Sequence, residues 1–180
     1  MKWVLIGVGA LVGVVGLAAV IGALLPRNHV ASSAITLKQP PDSVWAVIRD
    51  LGAVPSWWSD VKRSARLPDQ DGRERWEQET GMGSMPLEIA ESQPPARLVT
   101  RIASPPGAAF GGTWTYEVRA ADGGSRLTIT EDGWVANPLF RFMAHTIFGV
   151  HGTMDGYLKA LGTRFGETVE PEHVKGTPSP

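Results

Sequence analysis

The sequence predicts an α+β domain carried behind a single N-terminal membrane-spanning helix, on three observations. Residues 3–25 hold no charge, the middle of the chain alternates apolar and polar residues between closely spaced turn signals, and a stripe at helical spacing closes the globular part.

The uncharged run is built mostly from Val, Leu, Ile, Ala and Gly. At about 1.5 Å per residue, a helix of that length covers the roughly 30 Å hydrocarbon core of a bilayer. Helices buried in soluble domains usually keep a polar face, and this stretch has none. A cleaved signal peptide is the competing reading, because Lys2 supplies a basic start and Ala31-Ser32-Ser33-Ala34 offers small residues downstream. Signal cores run only about 7 to 15 residues. Pro26 and Arg27 then end the helix at once and put a charge at the interface, which favours a retained single-pass anchor. Lys2 and the amino terminus nearly balance Arg27 and Lys38, so basic-residue counting leaves the side of the soluble domain undetermined. Gly9 and Gly13 form a Gly-x-x-x-Gly pair, the basis for an expectation of weak self-association.

The anchor takes residues 1–26, one domain takes 27–168, and the polar, proline-containing stretch 169–180 is expected to be a disordered tail. A net charge of -1 with interspersed signs gives no electrostatic footprint for nucleic acid. The absence of cysteine excludes disulfides and thiolate metal sites. Seven tryptophans, all but Trp3 outside the anchor, point to a thick core or a cavity.

In chain order, Ile35 and Leu37 alternate with Thr36 in a first strand over 31–37. Pro40-Pro41-Asp42 stops it and opens a helix whose apolar residues Val44, Trp45, Val47, Ile48 and Leu51 share a face, with Gly52 closing the segment. A short second helix follows over 55–60. The period then changes to two. Strands over 61–67 and 73–80 flank Pro68-Asp69-Gln70-Asp71-Gly72, strands over 86–92 and 98–104 flank a Pro-Pro turn, and strands over 113–120 and 126–131 flank Asp122-Gly123-Gly124. Three hairpins make an antiparallel meander with one buried face, clearest where Trp114, Tyr116 and Val118 alternate with Thr115, Glu117 and Arg119. Asn137-Pro138 opens a long helix running to about Phe165, in which Gly149, Gly152 and Gly156 permit a bend.

This order resembles the helix-grip fold of the START-related (SRPBCC) superfamily, and within it the polyketide cyclase/dehydrase and lipid-transport family. The residues that carry the likeness are Pro40-Pro41-Asp42-Ser43-Val44-Trp45-Ala46-Val47-Ile48-Arg49-Asp50, then Pro55-Ser56-Trp57-Trp58, then Ser125-Arg126-Leu127-Thr128-Ile129-Thr130-Glu131. The resemblance implies a curved antiparallel sheet gripping the long C-terminal helix, with an apolar cavity between them. It also implies hydrophobic ligands, namely lipids, sterols or polyketides, with cyclisation or dehydration in some members.

Trp57 in the short second helix, Trp76, Trp114, Tyr116 and Trp134 on or beside strands, and Phe142, Met143, Ile147 and Met154 on the long helix are candidate ligand-lining residues, since Met and aromatic side chains make adaptable apolar walls. Core packing is the plainer role for any one of them. Glu131, Asp132 and His145 are the candidates for proton transfer. His145 and His151 lie about 120° apart on a helix and do not share a metal face, while His151 and Asp155 at i, i+4 read as a surface ion pair. Neither a nucleotide-binding loop nor a metal-spaced cluster appears, so neither a cofactor nor a metal is expected. Three functions stay open: a membrane-anchored binding or transfer domain for a hydrophobic small molecule or lipid, a cyclase/dehydratase-type enzyme, and a non-catalytic interaction module with a filled core.

Overall fold

The computed structural model describes residues 1–175, without the side chains of 147 and 148. Helix α1 spans Lys2–Leu24 and is long and apolar enough to cross a membrane by length and composition. Leu25 turns extended and Pro26 ends the helix, as a missing N–H requires. Behind it come β1 (Asn28–Leu37), α2 (Pro41–Arg49), a 3₁₀ turn (Val54–Ser56), and six consecutive strands: β2 (Val61–Gln70), β3 (Arg73–Thr80), β4 (Gly83–Gln93), β5 (Arg97–Ile102), β6 (Phe110–Ala121) and β7 (Gly124–Val135). Helix α3 (Pro138–Met143), a π-helical turn (Ala144–Phe148), α4 (Gly152–Arg164) and a short β8 (Glu172–Val174) complete the described chain.

The strands form one curved antiparallel sheet in the order β2-β3-β4-β5-β6-β7-β1-β8. The first strand thus sits beside the last strand of the meander, with Ile35 opposite Leu127 and Ala31 opposite Glu131. Partners in this register point the same way, so Ile35, Leu37, Leu98, Tyr116, Val118, Leu127 and Ile129 share the inner face, where α4 lays Met154, Leu158 and Leu161 against them. Val44 and Ile48 of α2 join the same core.

Two expectations are corrected. The single long C-terminal helix is instead broken into α3, the π turn and α4. Gly149 sits at φ +71 between the π turn and α4, a left-handed conformation that interrupts the helical ladder where glycine adopts it without a Cβ penalty. The tail is not wholly without structure either, because residues 172–174 add an edge strand to β1; residues 176–180 lie outside the described residues.

Breaking the helix lets α3 turn against α1. At Gly22, the buried residue of α1, a Cβ would fall on the Pro138 carbonyl oxygen, so the two backbones touch there. By contrast, a Cβ at Gly9 or Gly13 would meet nothing within 4 Å. Asn137 caps α3 by accepting from the backbone N–H groups of Leu139 and Phe140, which stops β7 and starts the helix in one residue. Arg141 of α3 is 4% exposed and donates from Nη1 to the Leu25 carbonyl, from Nη2 to Ala136 and from Nε to Val135. One guanidinium therefore satisfies the end of α1 and the end of β7 together.

Candidate functional site

The inner face is closed by five touching aromatic rings. Tyr157 of α4 is their hub, with edge-on contacts to Trp57 and Trp58 at 5.1 Å, Trp114 at 5.7 Å and Tyr116 at 5.8 Å. Trp114 comes from β6 and its neighbour Tyr116 lies two residues on, the spacing that keeps both on one face of a strand. The 3₁₀ turn delivers Trp57 and Trp58 from the opposite side, with the backbone N–H of Trp57 donating to the Val54 carbonyl. Thr100, Tyr116 and Tyr157 are linked by side-chain hydrogen bonds, and burial pushes both phenols well above their ordinary pKa, so they stay protonated donors. Two side-chain polar atoms on this side of the sheet are buried with no hydrogen-bond partner among the described residues: Trp57 Nε1 and Ser64 Oγ. A buried donor without an acceptor costs about 1–3 kcal/mol, which singles out this part of the structure.

At the other end of the inner face, Glu131 joins the aromatic cluster to a histidine. Its Oε2 accepts from Trp114 Nε1 at 2.9 Å, and its Oε1 lies 3.0 Å from His29 Nε2. The two side chains remain partly accessible, 23% for Glu131 and 16% for His29. The bond to Glu131, opposed by burial and assisted by the charges of Glu131 and Asp132, raises the His29 pKa above its ordinary value. A carboxylate and an imidazole in contact, one also held by an indole, can pass a proton to or from a group placed beside them.

Of the residues nominated from the sequence, Trp57, Trp114 and Tyr116 meet in this cluster, and Met154 is fully buried in the adjoining core. Trp76 is half-buried near the β2 edge, where its Nε1 donates to Glu74 and its ring packs on Gly52. Trp134 is a correction. Its place in β7, opposite Gly111 and one residue from inward-facing Gly133, puts it on the outer face, where it lines a groove of about 480 Å³ with Gln70, Asp71, Arg75, Glu88 and Arg101. Phe142 is another, because α3 turns its Cβ toward Gly22 of α1 and not across the sheet. Met143 is half-buried on α3, and the side chain of Ile147 lies outside the described residues.

The three proton-transfer candidates do not converge. Asp132 follows Glu131 in an unbroken strand and so points to the opposite face, and His145 is exposed in the π turn. His29, which does meet Glu131, carries no signal in the sequence, since the pairing depends on β1 lying beside β7. The ion pair foreseen between His151 and Asp155 is also different: Asp155 pairs with His173 of β8 at 2.9 Å, and Ser33 Oγ donates to Asp155 at 2.7 Å.

Comparison with known proteins places this architecture. A di-domain aromatase/cyclase of the steffimycin biosynthetic pathway aligns with a TM-score of 0.61 at 12% identity, covering 78% of this chain and 53% of that one, so the chain spans about half of that protein. A START superfamily protein from Mycobacterium smegmatis aligns at 0.56 with 17% identity, covering 76% and 96%. A protein from Mesorhizobium loti aligns at 0.57 with 14% identity, covering 78% and 97%. At such identities these likenesses establish the fold. No curated protein matches the chain. Residues 28–166 match the family described as polyketide cyclase / dehydrase and lipid transport, and because that match takes in β1 through α4, the chain belongs to this family.

Proposed function

We propose that the protein is a membrane-anchored domain that binds or transfers a hydrophobic small molecule or lipid carrying at least one hydrogen-bond acceptor. The observation that carries the reading is the buried Trp57 Nε1, an indole donor with no acceptor among the described residues, set edge-on against Tyr157 on the inner face of the sheet. An incoming carbonyl, ester or hydroxyl oxygen would satisfy it, while the surrounding rings take the apolar body. The family to which the chain belongs supports a hydrophobic ligand. For the anchor, the support is the run of residues 3–25 without a charge, almost all of it in α1, together with Phe140, which is exposed on α3 beside it and suits an interfacial position. Tethering keeps the domain next to its source of apolar ligand.

The full chain, extracted from its own membrane in mild detergent, is to be examined by native mass spectrometry and organic extraction, then titrated with lipids, sterols and aromatic polyketides while Trp fluorescence is followed. A co-purifying or saturable apolar ligand whose affinity falls at least tenfold in Trp57→Phe is expected. Absence of any ligand from both extraction and screen overturns the proposal.

The contact between Glu131 and His29 supports a second reading, proton transfer on that ligand in the manner of a cyclase or dehydratase. Turnover of a bound polyketide that is lost in Glu131→Gln while binding persists would establish it, and binding without turnover would leave the first reading alone.

A further inference from the structure

Away from the aromatic cluster, β8 brings His173 to a pair four residues apart at the start of α4, His151 and Asp155. His151 stands immediately before α4, Asp155 lies in its first turn, and His173 arrives on β8, paired opposite Ser33. Asp155 Oδ2 is 2.9 Å from His173 Nε2, and Oδ1 accepts from Ser33 Oγ at 2.7 Å. Ser33 Oγ is also 3.1 Å from His151 Nδ1, and the two imidazoles stack at 3.8 Å with 12° between their planes. We propose that His151, Asp155 and His173 bind a divalent transition-metal ion of the zinc class.

One potential ligand atom from each residue lies within 4.8 Å of the others. A tetrahedral ion with bonds of about 2.0–2.2 Å holds its ligands roughly 3.4 Å apart, so closure needs a contraction of about 1.4 Å, within the reach of side-chain rotation. Two imidazoles and one carboxylate are a donor set suited to zinc and its neighbours and poorly matched to calcium or magnesium, which take oxygen cages. Ser33, 0% exposed, supplies the outer support that metal sites need, because its hydroxyl fixes the orientation of the carboxylate from below. Three protein ligands leave a fourth position for water. An ion here would clamp β8 to the start of α4. The inference is independent of the hydrophobic-ligand reading.

The test uses the untagged full chain in detergent, stripped with chelator and titrated with zinc chloride by calorimetry, with limited proteolysis of the C-terminal segment as a second readout. One equivalent per chain and zinc-dependent protection of residues 171–175 are expected. His173→Ala and Asp155→Asn should each weaken binding at least tenfold, while His145→Ala leaves it unchanged. Because His173 is on an exposed edge strand, its variant keeps the test valid even where changes at α4 impair folding. Absence of stoichiometric binding, or wild-type affinity and protection in His173→Ala, would overturn the proposal.

Discussion

The guanidinium of Arg141 reaches back across 116 residues of sequence to donate to the carbonyl of Leu25, the residue at which the apolar helix ends. The same side chain holds Val135 and Ala136 at the end of β7. The N-terminal helix is thereby joined to the domain by more than a covalent linker, and its direction relative to the sheet is set by a buried cation.

Arg141→Met keeps the length of the side chain and removes all three donations, leaving carbonyl groups without their partner. It should destabilise the domain by about 3 kcal/mol. Thermal unfolding of the full chain in detergent would show the loss, and new proteolytic sensitivity near Pro26 and Arg27 would show that the junction has opened.

The contact between α1 and α3 rests on the lack of a side chain at Gly22. Gly22→Leu should separate the two helices, whereas Gly9→Leu, at a position with open space around it, should not. As the chain has no cysteine of its own, a pair introduced into α1 and α3 can report the distance by disulfide crosslinking. Crosslinking that survives Gly22→Leu would count against the close approach.

Tyr157 touches four other rings, so Tyr157→Ala should cost about 3–5 kcal/mol through the cavity it leaves. Tyr157→Phe keeps the rings in contact and removes only the hydrogen bond to Tyr116, with an expected cost of about 1 kcal/mol. Chemical denaturation of the two variants side by side separates packing from hydrogen bonding.

His29 titrates above its ordinary value of 6.5 because Glu131 holds its protonated form. The pair therefore contributes its full stability below the unfolded-state pKa, and the contribution is lost as pH rises through the raised folded-state pKa. In Glu131→Gln the His29 pKa should fall, read by the ring proton shifts in NMR, and the loss of stability from weakly acid to alkaline pH should flatten. An unchanged His29 titration in that variant would show that Glu131 is not its partner.

The strands of the meander were legible from local chemistry. Trp114, Tyr116 and Val118 do share one face, and the turn at Asp122-Gly123 falls between β6 and β7. Trp134 and Phe142 were not placed correctly, because an aromatic residue satisfies an apolar pattern on whichever side a neighbouring element covers it, and the covering elements here are remote in sequence.

By itself, the sequence determined the apolar helix, the proline-led α2, the three hairpins and the family likeness, because hydrophobic period, proline and glycine act within a few residues of where they stand. Only the tertiary structure decided which side chains meet. Closing β1 onto β7 brought His29 to Glu131, docking β8 brought His173 to Asp155, and breaking the last helix at Gly149 turned Arg141 back onto Leu25. Each of these depends on strand register and through-space packing between residues far apart in the chain, which local periodicity does not encode.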